Sequence, residues 1–107
     1  MRLCHPGRVE VTLRFFDGCP NWRTADARLR QVLDGTGHRD VIVSYEKVDT
    51  PEDAERLGFV GSPTVLIDGS DPFASPGVSV GLACRVYATP EGLAGSPTLD
   101  RLTEVLR

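Results

Sequence analysis

The chain of 107 residues carries 12 basic and 15 acidic side chains, for a net charge of −3, and its length is that of one domain. With 40% hydrophobic and 25% charged residues it has the composition of a globular protein, and it lacks an apolar run long enough to cross a membrane. Lys47 is its only lysine and its arginines are scattered. This distribution argues against nucleic-acid binding, which needs a focused positive surface.

The first eight residues carry charge but no apolar stretch. They are predicted to be a flexible leader rather than a secretory signal. We therefore expect a cytoplasmic protein without membrane partners, whose single domain covers residues 9–107.

Three cysteines are present, at Cys4, Cys19 and Cys84. An odd number in a chain expected in the cytoplasm makes a poor disulfide framework, so at least one thiol is free or pairs only transiently. His5 and His38 are the only histidines and no Cys-x-x-Cys occurs. We expect neither a metal site nor another cofactor, because a zinc site needs about four closely spaced ligands.

Residues 9–16 alternate between apolar and polar side chains, which predicts a first strand ended by Asp17-Gly18. Cys19-Pro20 then opens a helix, with Pro20 in the first helical position, where its missing N–H is not needed. The helix ends at Gly35-Thr36-Gly37. Its predicted apolar face consists of Trp22, Ala25, Leu29, Val32 and Leu33.

Residues 41–48 are rich in β-branched side chains and predict a second strand. Thr50 followed by Pro51 is an N-cap with a proline behind it, so a short helix begins there and ends at Gly58. Residues 64–67 form a predicted third strand, closed by Asp68-Gly69.

A loop rich in proline and glycine covers residues 70–78, and residues 80–87 are predicted to return as a fourth strand antiparallel to the third. Residues 96–98 cap a last helix with Leu99, Leu102 and Leu106 on one face. The order β-α-β-α-β-β-α predicts an α/β domain with a central four-stranded mixed sheet flanked by helices.

Two segments resemble the thioredoxin-like superfamily. Residues 16–22, Phe-Asp-Gly-Cys-Pro-Asn-Trp, resemble its active-site turn, and residues 61–65, Gly-Ser-Pro-Thr-Val, resemble the segment that holds its cis-proline. The resemblance covers residues 9–107 and implies a thioredoxin-like fold. It also implies that Cys19 is the nucleophile, that the Ser62–Pro63 bond is cis, and that the backbone of Ser62 pairs with an extended substrate. Trp22 stands where the family has its second cysteine.

The same motifs, together with Cys-Arg-Val-Tyr at residues 84–87, are similar to a branch of small bacterial proteins. That branch is labelled thioredoxin family or alkylmercury-lyase-like, and some of its members carry selenocysteine at the position of Cys19.

Cys19 is the center of any predicted chemistry. A cysteine at a helix N-terminus has its thiolate stabilised by unpaired N–H groups and by the helix dipole, and thiolate is the reactive form. Asp17 opposes this effect by its charge or accepts the proton. The alternative is that Cys19 is inert and only packs.

The other candidate residues also have two interpretations. Trp22 is either a core anchor or a lid over the thiolate, and Pro63 is a turn proline unless it is cis. In the resembled fold Cys84 approaches Cys19, so it is either a resolving thiol or a small apolar residue of a strand. Arg85 and Tyr87 either bind an anion or lie on a solvated strand edge, while residues 71–73 only shape their loop.

Three functions follow from these predictions. The first is a monothiol redox protein, a thiol-dependent oxidoreductase in which Cys19 attacks a protein or small-molecule disulfide, a peroxide or a mixed disulfide and Cys84 or an external thiol releases it. The second is organomercury or soft-metal chemistry at Cys19 and Cys84. The third is a non-catalytic binding module. Predicted substrate-binding residues are Asp17, Pro20, Trp22, Ser62 and Pro63.

Overall fold

The computed structural model describes residues 9–38, 41–74 and 80–106, and the leader predicted over residues 1–8 lies outside them. They form a small mixed α/β domain. Its central sheet has three strands in the order β2-β1-β3, beside a separate two-stranded hairpin, β4-β5, and three helices.

The first strand, β1 (Val11–Phe15), and the first helix, α1 (Asn21–Gly35), form where the alternation and the helical spacing predict them. Pro20 is the N-cap rather than the first helical residue, so α1 begins one residue later than expected. The strand β2 (Val43–Lys47) pairs in parallel with β1. The β1-α1-β2 unit is therefore the parallel crossover that alternating strands and helices favour.

The second helix, α2 (Pro51–Leu57), begins and ends as predicted. The hydroxyl of Thr50 accepts a hydrogen bond from the Asp53 N–H at 3.0 Å. Gly58 ends the helix in the left-handed conformation, at φ 67°, which glycine adopts without strain.

The third strand, β3 (Thr64–Ile67), pairs antiparallel with β1, so β1 occupies the middle of the sheet. The Ser62–Pro63 peptide bond that precedes β3 is cis, as expected. One end of β1 therefore leads into the Cys19 turn, while the start of β3 brings Pro63 to the same end of the sheet.

The predicted fourth strand of the central sheet is wrong. Among the described residues 80–87, only Cys84 joins the central part of the fold by a β-bridge, which runs to Ser62 and is parallel instead of antiparallel. Pro63 follows Ser62 and has no N–H with which to continue such a ladder. Beyond this point the chain forms the hairpin of β4 (Tyr87–Thr89) and β5 (Gly92–Ala94) instead.

The last helix, α3 (Leu99–Leu106), packs against α1. Its start is capped by Thr98, whose hydroxyl accepts from the Arg101 N–H at 3.1 Å. Leu102 and Leu106 are buried as predicted, whereas Leu99 is 37% exposed. The main core lies between the sheet and the two longer helices and comprises Val11, Leu13, Ala25, Leu29, Val32, Leu33, Val65, Leu102 and Leu106.

A second, smaller apolar cluster lies at the Cys19 end of the sheet. Val48, Ala54 and Phe59 are buried there, and Leu82 packs against them from the segment that carries Cys84. The Gly81 N–H also donates to the Phe59 carbonyl at 3.0 Å. This cluster therefore anchors the beginning of the Cys84 segment to the body of the domain.

Candidate active site at the Cys19–Cys84 pair

Cys19 and Cys84 are joined by a disulfide bond with their Cα atoms 5.6 Å apart. This separation is in the middle of the range that a disulfide requires. The expectation that Cys84 lies beside Cys19 is confirmed, although it came through an antiparallel pairing that is wrong. Cys4 lies outside the described residues.

Cys19 lies in the tight turn between β1 and α1. Its N–H donates to the Phe16 carbonyl at 3.0 Å, and its side chain is fully buried. Pro20, the N-cap of α1, offers no side-chain cap to the first helical N–H groups. Cys19 immediately precedes this N-cap, so it stands at the positive end of a 15-residue helix, where the helix dipole favours a thiolate.

Cys84 is held beside Cys19 by backbone bonds to Ser62. The Ser62 N–H donates to the Ala83 carbonyl, and the Arg85 N–H donates to the Ser62 carbonyl, both at 2.8 Å. The Cys19 Sγ lies 3.6 Å from the same Ser62 oxygen. The groups of Ser62 that were expected to pair with an extended substrate are thus bonded within the chain.

Arg85 is the strongest side-chain anchor of this segment. Its guanidinium pairs with the Asp71 carboxylate at 2.7 Å and donates to the Phe73 carbonyl at 2.7 Å and the Thr64 hydroxyl at 3.3 Å. The side chains of Arg85 and Asp71 are only 5% and 16% exposed. Arg85 is therefore a buried structural cation rather than part of a solvated strand edge, and Asp71 does more than shape its loop.

Gly61 allows this anchor to come close. Its φ of 125° lies in the left-handed region, and a Cβ atom there would lie 2.9 Å from the Arg85 Cβ. A residue with a side chain is therefore disfavoured both by backbone conformation and by space.

Tyr87 contacts the cis-proline segment with its buried side chain. Its hydroxyl donates to the Pro63 carbonyl, its ring lies edge-on to Phe73, and the Arg85 guanidinium lies 4.6 Å from the ring center. Burial raises the pKa of Tyr87 above its ordinary value, although the charge of Arg85 opposes that shift. Tyr87 is thus a neutral hydrogen-bond donor in the folded protein.

Asp17 is engaged away from the disulfide. Its carboxylate pairs with the Lys47 ammonium at 2.8 Å, and both side chains are about half exposed. This hydrogen bond and charge raise the pKa of Lys47 above its usual value. The two roles predicted for Asp17, opposing the thiolate and accepting its proton, stay predictions. The Lys47 ammonium competes with the Cys19 thiol for the Asp17 carboxylate.

Trp22 is partly buried against the main core. Its ring stacks on Phe15 with centroids 4.3 Å apart, and the Arg23 guanidinium lies 5.1 Å from its center. These contacts favour the core-anchor interpretation over the lid.

The two sulfur-bearing residues differ in their access to solvent. Cys19 is fully buried, whereas Cys84 is exposed. Cys84 also belongs to the lining of a pocket of about 300 Å³, bounded by Phe73, Val86, Pro97 and Arg101. Any reagent that approaches the disulfide from this pocket therefore meets the Cys84 side.

Within the described ranges, no three or more His, Cys, Asp or Glu side chains stand close enough to hold a metal ion together. The paired cysteines can therefore offer a metal two sulfur ligands among these residues. In the same part of the chain, no helix has the length and apolar character needed to span a membrane.

The ion pair of Arg85 and Asp71 and the need for glycine at position 61 were missed by sequence reasoning. Residues 80–87 were predicted to form a fourth strand, on which Arg85 either binds an anion or lies on a solvated edge. A charge in the middle of an otherwise apolar stretch, with an Asp-Pro turn upstream, was the available signal.

A comparison of the chain with protein-family models finds no match, and a comparison with curated proteins finds no significant one.

Proposed function

We propose that this protein is a thioredoxin-like redox protein that carries out thiol–disulfide exchange through Cys19 and Cys84. The observation that carries the proposal is the disulfide between a cysteine at a helix start and a cysteine in an exposed segment. The cis bond before Pro63 and the parallel β1-α1-β2 unit agree with the resemblance in residues 16–22 and 61–65.

In this proposal the second thiol comes from Cys84, because Trp22 occupies the position of the usual second cysteine. The oxidised pair accepts two electrons from two substrate thiols, which leave as a disulfide, and the two cysteines become thiols. The reverse reaction reduces a substrate disulfide and closes the Cys19–Cys84 bond. Both directions balance with a thiol and a disulfide as the only partners.

Turnover with a small disulfide tests this function. We expect the reduced protein to accelerate the reduction of bis(2-hydroxyethyl) disulfide by dithiothreitol. Cys84→Ser loses the internal disulfide, and its reduction rate should be at least about tenfold lower, because no Cys19–Cys84 bond can then form. The matched control is Cys4→Ser, which keeps the rate. Equal rates for wild type and Cys84→Ser would refute the proposal.

A second candidate is the binding of a soft metal such as Hg²⁺ by the two reduced thiolates. It is favoured by the placement of the two sulfur atoms side by side, since thiolates select soft metals. Titration of the reduced Cys4→Ser protein with mercuric chloride then gives one equivalent bound. Both Cys19→Ala and Cys84→Ala lose this tight binding. A stoichiometry unaffected by either change contradicts the metal proposal.

The non-catalytic binding module is the outcome that remains if neither turnover nor metal binding is found. The cytoplasmic location likewise stays a prediction from the sequence.

A further inference from the structure

We propose that exchange enters the pair at Cys84 and that Cys19 is the buried leaving group and resolving thiol. The preferred partner is a small thiol or disulfide that carries a carboxylate. This inference rests on the proposed thiol–disulfide exchange. It reverses the roles implied by the resemblance, in which Cys19 makes the first attack.

The two cysteines differ in their access to an attacking thiolate. An attacking thiolate must reach one sulfur in line with the bond that breaks, so exchange depends on which sulfur is open. Cys19 is fully buried, and Ser62, whose carbonyl lies beside the Cys19 sulfur, is also 0% exposed. Cys84 is exposed and lies on the pocket. The attack therefore occurs at Cys84.

The two cysteines also differ as leaving groups. A thiolate leaves faster when it is more stable, and Cys19 immediately precedes Pro20, the N-cap of the 15-residue helix α1. Helix starts stabilise thiolates. Cys84 lies in an irregular segment between a single β-bridge and a hairpin, without a helix start of its own.

The steps balance with thiols and a disulfide alone. An incoming thiolate forms a bond to the Cys84 sulfur, the Cys19–Cys84 bond breaks, and its electron pair remains on Cys19. A second thiolate then attacks the incoming sulfur and releases Cys84 as a thiolate. In reverse, the Cys84 thiolate attacks a disulfide, and Cys19 attacks Cys84 to expel the second product thiolate.

The pocket beside Cys84 indicates the kind of partner. Its volume of about 300 Å³ is at the lower end of the range for small-molecule sites. Its lining contains two cations, Arg85 and Arg101, and no carboxylate residue. Arg85 is neutralised by Asp71 at 2.7 Å, whereas Arg101 is about half exposed and has Glu104 only at 3.7 Å. Arg101 lies over the Phe73 ring and is the cation available to an anionic substituent.

Single-cysteine proteins test the entry point. With Cys4→Ser as background, Cys19→Ser leaves Cys84 alone and Cys84→Ser leaves Cys19 alone. We expect the folded protein with Cys84 to react with 5,5′-dithiobis(2-nitrobenzoate) at least about tenfold faster, because buried thiols exchange slowly. In guanidinium the two rates should agree within about twofold, because unfolding exposes both thiols and removes the difference in access. A faster Cys19, or equal rates in the folded proteins, overturns the inference.

The oxidised wild-type protein gives a second readout that needs no cysteine replacement. Brief treatment with 2-mercaptoethanol, an acid quench and peptide mapping locate the mixed disulfide. We expect it on Cys84, and an adduct mainly on Cys19 overturns the entry point. If no internal disulfide is present before treatment, the proposed function itself fails, which separates the two failures.

The anion preference is tested with Arg101→Gln in the protein that retains Cys84 alone. Its reaction with anionic 5,5′-dithiobis(2-nitrobenzoate) should slow by about threefold to fivefold, as for one partly exposed charge. Its reaction with uncharged 2,2′-dithiodipyridine should not change, and high salt should remove the difference. Arg56→Gln, an exposed arginine outside the pocket, is the control. Equal slowing with both reagents overturns the preference for a carboxylate.

Discussion

Asp71→Asn isolates the buried ion pair that anchors the Cys84 segment. The asparagine keeps an oxygen that can accept from the Phe73 N–H, which donates to Asp71 at 2.9 Å. It removes the charge that faces Arg85 at 2.7 Å. The substitution therefore leaves the loop bond in place and leaves a buried guanidinium without its counter-ion.

Removing one partner of a fully buried ion pair costs about 3–5 kcal/mol. We expect a smaller loss here, about 2–3 kcal/mol, because the Asp71 side chain is 16% exposed and Arg85 retains two neutral acceptors, Phe73 and Thr64. If the whole loss weakens the packing of the Cys84 segment against the domain, the effective concentration of the two thiols for disulfide formation falls by at most about 30- to 150-fold.

Urea denaturation of the oxidised protein measures the stability change, and equilibration with a dithiothreitol redox buffer measures the effective concentration. Arg56→Gln removes an exposed pair with Asp53, whose side chains are 67% and 39% exposed. It should change stability by less than about 0.5 kcal/mol. An Asp71→Asn loss as small as that of this control would refute the account of Arg85 as a buried anchor.

Three further changes test other parts of the site. Gly61→Ala should lower stability by about 1–3 kcal/mol because of its φ of 125° and the close Arg85 Cβ, and denaturation showing no loss would contradict that reason. Trp22→Ala should lower stability by about 2–3 kcal/mol, which is less than the loss for a fully buried tryptophan, because the ring is only partly buried where it stacks on Phe15. A negligible loss in denaturation would favour the lid interpretation instead. Tyr87 has a raised pKa in the folded state. Its titration therefore leaves stability unchanged below the ordinary tyrosine pKa of 10.0, and stability falls above that pH as the unfolded phenol loses its proton. Tyr87→Phe should reduce that slope, as measured by denaturation at several alkaline pH values, and an unchanged slope would contradict burial of the phenol.

Local patterns predicted the elements that depend on local chemistry. Thr50 and Pro51 marked the start of α2, and Gly58 its end, because caps and breakers act on their immediate neighbors. The strands β1, β2 and β3 appeared within two residues of the expected bounds at each end. The cis bond before Pro63 was expected only through the resemblance, since most bonds before proline are trans.

The segment around Cys84 could not be predicted in the same way. Its composition is compatible with a strand, but strand pairing depends on which backbone N–H and C=O groups of a distant segment are still free to bond. Pro63 interrupts the neighboring ladder and Arg85 is drawn to Asp71, neither of which a local pattern encodes. The proximity of Cys84 to Cys19 was therefore correct while the strand direction behind it was wrong.

The solvent exposure of the two cysteines also could not be predicted from the sequence. A position at a helix start favours a reactive thiolate, but the burial of Cys19 depends on residues distant in sequence, such as Cys84 and Ser62, which contact its sulfur. A local electrostatic argument could identify the stable thiolate and could not identify the accessible sulfur.

A redox titration of the Cys4→Ser protein shows whether Cys19 and Cys84 form one reversible two-electron pair. The protein is equilibrated in dithiothreitol buffers, quenched by alkylation and analysed by peptide mapping. We expect a single transition between a form with both cysteines alkylated and a form in which the two peptides are linked. Alkylation of both thiols across the whole titration, without a linked peptide, would contradict it.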